Sequence, residues 1–269
     1  MVINHNLSAM NANRQMAINT GASAKSVEKL SSGQRINRAG DDAAGLAISE
    51  KMRSQIRGLN QGSSNAQDGI SLVQTAEGAL TETHAMLQRL KTLSVQSANG
   101  DLQDSDRTLI QKEVDSLTGE ISRVANQTEF NGMTLLTSTM AINFQVGNKS
   151  GQQITVLMAT MTASGLAINS LQLKTTVLAK AALKKIETAI SKVSAERASL
   201  GASQNRLEHT ITATDNTSEN LSAAESRIRD TDMAKEMMEY TKNNVLTQAA
   251  QAMLAQANQT PNNVLKLLQ

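Results

Sequence analysis

Few side chains in this sequence have the types and spacing that chemistry requires. The three histidines, His5, His84 and His209, lie far apart on separate predicted helices, so they do not form a metal site. Asp41 and Asp42 are neighbours, but adjacent side chains point apart, and we expect them to cap the helix that follows. These residues predict neither a metal site nor catalysis.

Familiar site motifs are also missing. The acidic stretch around Asp104 and Asp106 does not form a calcium loop, because Leu109 occupies the position that needs a glycine. The sequence contains neither the dinucleotide-binding GxGxxG pattern nor a phosphate-binding P-loop. We therefore expect no enzyme activity and no cofactor.

Composition excludes further classes of function. Cysteine is absent, which rules out a disulfide framework, a thiolate metal site and a cysteine nucleophile. The 26 basic and 24 acidic side chains give a net charge of +2, and aromatic residues make up 1% of the chain. A nucleic-acid partner would need a stronger positive field or aromatic platforms. Without aromatic residues for a thick core, the chain must bury aliphatic residues along thin seams, which indicates long helices.

No segment predicts membrane insertion or a cleaved secretory signal. The uncharged stretch 150–173 contains many Gln, Thr, Ser and Asn residues and is too polar to cross a bilayer. The N-terminus has no basic region followed by a continuous apolar region. Leaving the cell would therefore require a different export route.

Two long segments show sustained hydrophobic spacing of three and four residues. They cover residues 56–94 and 183–228, and neither contains a proline. This spacing over about six heptads is typical of coiled coils. Arg197, Gln204 and Glu225 fall on the second seam, where they either set the register or mark a place at which the seam meets another helix.

A third periodic segment, residues 110–126, precedes a change of pattern. Residues 140–146 and 154–158 alternate apolar and polar side chains on either side of a glycine-bounded turn, which predicts a β-hairpin. The sequence therefore predicts a mainly α protein. Its N- and C-terminal arms pair as a long antiparallel helical coiled-coil rod, with a small β-hairpin region near 130–160.

Both ends of the chain have helical patterns but almost no charge. Residues 1–24 contain one charged side chain, Arg14, and residues 243–265 contain none. A solvated helix usually carries charge on its outer face, so these helices suit burial among neighbours and should be marginal alone in water. We predict that the ends drive self-assembly through Ile3, Leu7, Met10, Leu246, Ala250, Met253, Ala257, Leu265 and Leu268.

Several runs of residues, in order along the chain, resemble the bacterial flagellins. The runs are INHNLSAM at 3–10, LSSGQRINRAGDDAAGLAIS at 30–49, LQRLKTLSVQSAN at 87–99, GASQNRLE at 201–208, SRIRDTDMA at 226–234 and QANQTPNNVLKLL at 256–268. The resemblance covers nearly the whole chain outside about 155–180. It agrees with the pattern of paired helical arms whose uncharged ends need an assembly.

The resemblance implies a structural subunit that polymerises into the flagellar filament for motility. In the family, both ends form an inner domain that lines a central channel, here residues 1–43 with 229–269. Residues 44–228 would form the coiled-coil rod with its β-hairpin, and the variable outer domain would be essentially absent. Family members are secreted unfolded through the flagellar type III export channel, which implies an extracellular filament, an export chaperone and a cap protein.

The resemblance also implies recognition by an animal host through Toll-like receptor 5. The matching receptor-binding positions are Arg89, Leu93 and Glu113. Arg89 and Leu93 are four residues apart and so share a helical face, where a guanidinium beside an apolar side chain suits an interface hot spot. Without the resemblance, Arg89 would be a solvated residue of the rod, and Leu93 would fill the seam or a subunit contact.

Two alternatives to a filament subunit are compatible with long helices. A hook–filament junction protein shares the terminal helices, although the filament-type runs argue against it. A membrane-active translocator coiled coil would need a contiguous apolar helix with a basic flank, and the termini are too polar and uncharged for that. Lipid-vesicle binding by the monomer would favour the translocator.

Overall fold

A computed structural model of the chain describes residues 6–267, with side chains for residues 6–259. In this part of the chain, helices account for most residues and the strands are short, which confirms the predicted mainly α fold. The elements are α1 (Leu7–Ser32), α2 (Ala43–Ser97), α3 (Asp104–Gln127), β1 (Glu129–Phe130), β2 (Met133–Thr134), β3 (Met140–Gln145), β4 (Gln153–Met158), α4 (Thr176–Arg229) and α5 (Met233–Leu267).

The chain divides into two compact units. Residues 1–54 and 220–269 form one, called here the terminal unit, and residues 55–219 form the other, called the central unit. α1 and α5 belong wholly to the terminal unit, whereas α3 and all four strands belong to the central unit.

In the central unit α2 and α4 run antiparallel. Three contacts show the direction, because residue numbers rise along one helix as they fall along the other: Lys91 with Glu187 at 3.0 Å, Arg197 with Glu77 at 3.5 Å, and Ser218 Oγ donating to Asn60 Oδ1 at 2.7 Å. The seam residue Arg197 therefore joins the two helices by an ion pair. Gln204 makes only a local contact, donating to Glu208 one turn later at 2.9 Å.

The hydrophobic core of the central unit follows the predicted seams. Its buried side chains recur every three or four residues on α2 and α4, and α3 adds a third row. The main cluster includes Leu72, Val73, Leu80, Leu87, Leu90, Leu93, Val114, Ile121, Ile186, Ala189, Val193 and Leu200. Leu207 lies in a smaller cluster with Ala66, Val146 and Ile154.

The predicted β-hairpin is confirmed. β3 pairs antiparallel with β4, with Met140 opposite Met158 and Gln145 opposite Gln153. Alternate residues of β4 are buried, as the sequence pattern requires. A shorter hairpin, β1 with β2, turns at Asn131 and Gly132, whose φ angles of 52° and 74° explain the Asn-Gly pair.

Candidate assembly and receptor surfaces

The terminal unit is built on an antiparallel pair of helices, α1 and α5, whose Cα atoms approach within 8 Å. Asn6 Nδ2 donates to the Ala257 carbonyl at 2.8 Å near one end, and Lys29 lies 3.7 Å from Glu236 near the other. Partly or fully buried positions recur at three-four spacing on both helices and are mostly small or polar: Ala9, Ala12, Met16, Asn19 and Ser26 on α1, and Tyr240, Asn243, Thr247, Ala250, Leu254 and Ala257 on α5. Small side chains allow this close approach, but they bury little apolar area.

Buried and exposed apolar side chains are divided unequally between the two units. Among the described residues, Ile36 is the buried hydrophobic residue of the terminal unit, and the others belong to the central unit. Eleven large hydrophobic side chains of the terminal unit are nevertheless exposed: Leu7, Met10, Ile18, Val27, Ile48, Met233, Met237, Met238, Val245, Leu246 and Met253. A surface rich in exposed apolar side chains is typical of proteins that bind other molecules.

The residues predicted to drive assembly fall into three groups. Leu7, Met10, Leu246 and Met253 are exposed, so their side chains are available to other molecules. Ala250 and Ala257 are half-buried at positions in the seam between α1 and α5. Ile3, Leu268 and the side chain of Leu265 lie outside the described residues.

An exposed apolar stripe on α5 was predicted only in part from the sequence, which indicated Met253 but neither Met238 nor Val245. Met238 and Val245 are one heptad apart and Met253 lies eight residues further on, so all three fall close to one side of the helix. Their exposed fractions are 67%, 58% and 65%. The seven-residue spacing was a usable signal, but the seam residues on the other side of α5 show the same periodicity.

In the terminal unit, the connection between α1 and α2 (residues 33–42) is hydrogen-bonded to the end of α4 and to the connection between α4 and α5 (residues 230–232). The Arg35 amide donates to the Arg229 carbonyl at 2.6 Å, and the Thr231 amide donates to the Gly33 carbonyl at 3.0 Å. Gly33 ends α1 in the left-handed conformation, with φ of 71°, which glycine adopts without strain. The buried Arg229 side chain donates to Gln34 Oε1 at 3.1 Å and also pairs with Glu50.

Asp42 caps the helix that follows, as predicted, whereas Asp41 bonds the turn that precedes it and not the helix. The Gly45 amide donates to Asp42 Oδ1 at 2.8 Å, which caps the start of α2. The amides of Arg38 and Asn37 donate to Asp41 Oδ2 at 3.0 and 3.2 Å. These bonds favour the ionised carboxylate and hold the pKa of Asp41 below its ordinary value, with Lys25 and Lys29 adding smaller effects.

Two of the three predicted receptor-binding residues lie together on the central unit. Arg89 on α2 and Glu113 on α3 form an ion pair of 2.8 Å. Their side chains are 54% and 43% exposed, so the pair is at the surface and solvent weakens its contribution to stability. The pair places a guanidinium beside a carboxylate at the surface.

The prediction that Leu93 is an exposed apolar contact is wrong. Its side chain is 2% exposed and packs within the main core cluster. Near the end of α2 the row of buried residues widens to include Leu90 and Leu93. Both α3 and α4 lie beside α2 there, as the ion pairs Arg89–Glu113 and Lys91–Glu187 show. A side chain with that burial cannot touch a partner unless the core opens.

Two buried polar residues of α3 make hydrogen bonds that were not predicted from the sequence. Arg107 donates to the Ser97 carbonyl at 3.0 Å and the Asn99 carbonyl at 2.7 Å, so it satisfies acceptors at the end of α2. Gln111 Nε2 donates to the Leu171 carbonyl at 2.8 Å, and Gln111 Oε1 accepts from the Leu173 amide at 2.7 Å. Gln111 thereby fastens the segment 159–175, which joins β4 to α4.

The described residues contain no group of three or more His, Asp or Glu side chains that could hold a metal ion. His84 is half-buried, and its Nε2 lies 2.9 Å from Gln88 Nε2, a contact within one helix. Over the same part of the chain, none of the helices is both long and apolar enough to cross a membrane.

The fold and these surfaces define a class of protein: a helical structural subunit with a stable central unit and a terminal helix pair that exposes apolar side chains. Residues 3–141 match the family described as the bacterial flagellin N-terminal helical region, and residues 183–268 match the bacterial flagellin C-terminal helical region. The chain therefore belongs to the bacterial flagellins, the family of flagellar filament subunits.

Individual relatives agree with this assignment. A flagellin of Bacillus subtilis (strain 168) is 53% identical over 303 residues, and one of Halalkalibacterium halodurans is 55% identical over 271 residues; both alignments cover 100% of each chain. The crystal structure of Bacillus cereus flagellin is 32% identical with a TM-score of 0.51, covering 60% of this chain and 94% of that one. Whole-length matches to flagellins favour a filament subunit over a hook–filament junction protein.

Proposed function

We propose that the terminal unit is the polymerisation domain of this flagellin. The observation that carries the proposal is the excess of exposed over buried apolar side chains on α1 and α5. In a filament, the exposed side of the helix pair would be covered by the same surface of neighbouring subunits, which buries the apolar area that the isolated chain leaves in water.

The resemblance extends this proposal to the inner layer of the filament. Residues 1–43 and 229–269 would line the central channel, and residues 44–228 would form the surrounding rod. After Asn243, the exposed residues of α5 are rich in Ala, Gln and Asn besides the apolar stripe and include no charged side chain as far as residue 259. Such side chains give a channel wall little charge on which a passing unfolded chain could be held.

Export through the flagellar type III channel, followed by assembly outside the cell for motility, completes the proposed function. A chain without cysteine cannot be trapped by disulfides during export. A terminal unit with few buried apolar contacts is readily kept unfolded. The exposed stripe of α5 is a suitable surface for an export chaperone before assembly, and the cap protein would guide each subunit at the filament tip.

Val245 provides a sharp test of polymerisation. Its side chain is 58% exposed on α5, so Val245→Asp should leave the monomer folded while placing a charge in the proposed subunit contact. An unpaired buried charge costs several kcal/mol, and a cost of about 3 kcal/mol raises the critical concentration more than a hundredfold. Sedimentation of filaments and circular dichroism of the monomer measure the two effects.

Val177 offers the matched control, because it is a 76% exposed valine of the central unit. Val177→Asp should sediment as filaments at the wild-type concentration. Deletion of residues 229–269 should leave a helical protein that does not sediment. Normal polymerisation of Val245→Asp would contradict the assignment of this side of α5 to a subunit contact.

We also propose that Toll-like receptor 5 of an animal host binds the monomer at Arg89 and Glu113. The resemblance supports this, and so does their exposed, oriented ion pair on adjoining helices. In this proposal Leu93 does not touch the receptor, and its packing in the core keeps α2 in position. The receptor would gain a guanidinium whose orientation Glu113 has already restricted, which lowers the entropy lost on binding.

Receptor-ectodomain affinity for Arg89→Ala tests this proposal. Removing a hot-spot arginine should lose at least about 2 kcal/mol, some thirtyfold in Kd. Arg123→Ala is a matched control, because Arg123 is also 54% exposed and pairs with a glutamate, Glu120, on α3. Equal affinities of wild type and Arg89→Ala would remove Arg89 from the binding surface.

A further inference from the structure

The methionines of this chain are concentrated where the polymerisation surface is proposed. The sequence contains 13 methionines and no cysteine. Six of the described methionines are exposed, and five of these belong to the terminal unit: Met10, Met233, Met237, Met238 and Met253. Met133 is the exposed methionine of the central unit, whereas Met158 and Met161 are buried there.

Two of the exposed methionines of α5 lie together on one apolar surface. Met237 and Met238 line a shallow cleft of about 500 Å³ together with Val245, Leu246, Thr241 and Lys242. Met253 continues the stripe towards the C-terminus. A thioether is flexible and polarisable, so such a surface can adapt to the irregular contacts of a neighbouring subunit.

Exposed thioethers are the most readily oxidised side chains among the described residues, because the chain has no thiol to react first. The sulfur attacks a peroxide oxygen, the O–O bond breaks, and an S=O bond forms while the peroxide is reduced by two electrons to water. The product, methionine sulfoxide, is polar and chiral, and a thiol-dependent sulfoxide reductase returns it to the thioether with release of water.

We propose that oxidation of these five exposed methionines of the terminal unit controls polymerisation. Peroxide converts the exposed apolar stripe of the free subunit into a polar one, which cannot be buried against a neighbour without leaving sulfoxide oxygens unpaired. The inference rests on the proposed assembly role of the terminal unit. It adds a chemical class of modification, a reversible two-electron oxidation, and names the residues that receive it.

The experiment compares the critical concentration of filaments before and after mild treatment of the monomer with hydrogen peroxide. Mass spectrometry verifies sulfoxide at Met238 and Met253. We expect oxidation to raise the critical concentration of wild type at least about tenfold, and treatment with sulfoxide reductase to restore it. A variant with leucine at all five positions keeps the apolar volume and should polymerise equally well before and after peroxide.

Met133→Leu is the control, because it removes an exposed methionine outside the terminal unit and should remain as sensitive to peroxide as wild type. The five-leucine variant retains the half-buried methionines, so loss of its polymerisation after peroxide would overturn the inference. Unchanged polymerisation of verified, oxidised wild type would also overturn it while leaving the assembly role intact. Failure of untreated protein to polymerise would instead overturn the assembly role, and the inference with it.

Discussion

Replacing Gln111 with leucine removes the hydrogen bonds that join α3 to the segment leading into α4. Gln111 is 7% exposed, and its amide group bonds both the Leu171 carbonyl and the Leu173 amide. Leucine has a similar size and no hydrogen-bonding group. Gln111→Leu therefore leaves two backbone groups without their partner and changes the packing little.

The expected loss of stability follows from those two groups. A buried backbone donor or acceptor left unpaired costs about 1–3 kcal/mol, so the pair predicts about 2–6 kcal/mol in the free energy of unfolding of the central unit. Leu173 is fully buried, which leaves water no easy access to its amide. We therefore expect Gln111→Leu to lower the free energy of unfolding by more than about 2 kcal/mol, the lower end of this range.

Urea unfolding followed by circular dichroism measures the global effect, and hydrogen exchange at the Leu173 amide measures the local one. Gln67→Leu is a suitable control, because Gln67 lies exposed on α2 and its replacement should change stability by less than about 0.5 kcal/mol. A loss below about 0.5 kcal/mol for Gln111→Leu, with unchanged protection of the Leu173 amide, would refute the role given to Gln111.

Three further outcomes are expected. Leu207→Ala should lower the stability of the central unit by about 2–5 kcal/mol in urea unfolding, because Leu207 is fully buried in a cluster around the β-hairpin. Gly62→Ala should cost about 1–3 kcal/mol, because the new Cβ would lie 2.5 Å from the Val146 carbonyl oxygen, whereas Gly78→Ala, with open space around it, should gain up to about 1 kcal/mol. The lowered pKa of Asp41 means that its ionised carboxylate stabilises the turn at pH values above the ordinary carboxyl pKa, near 4. This stability is lost as pH falls through the lowered pKa of the folded protein. An NMR titration of the Arg38 amide should follow the loss in wild type, and Asp41→Asn should abolish it.

The long helices and the hairpin could be predicted because each has a single dominant periodicity. Leu80, Leu87, Val193 and Leu200 recur at heptad spacing, and they are buried because one side of each helix faces the same neighbour along its length. The alternating residues 154–158 specify a strand in the same way. Local patterns of this kind need no knowledge of the rest of the chain.

Leu93 and Gln111 show where local patterns stop being sufficient. Leu93 lies off the seam on which Leu87 and Ser94 fall, and it is buried in a core cluster that α2 shares with α3 and α4. The role of Gln111 depends on which backbone groups the segment 159–175 leaves unpaired, a property of the tertiary structure that no spacing encodes. The resemblance placed Arg89, Leu93 and Glu113 at receptor-binding positions, but it could not show that Arg89 and Glu113 form an exposed ion pair while Leu93 is buried.

The scarcity of buried apolar side chains in the terminal unit has a kinetic consequence. Two free subunits that meet in solution must both restrict weakly packed terminal helices at once, which costs conformational entropy on both sides of the contact. A subunit arriving at the end of an existing fibre meets helices that are already ordered, so only one pair loses conformational freedom. We expect spontaneous nucleation to be slow and elongation fast, with a lag phase that short fibre fragments abolish. Growth is then confined to the fibre end without any separate inhibitor in the surrounding solution.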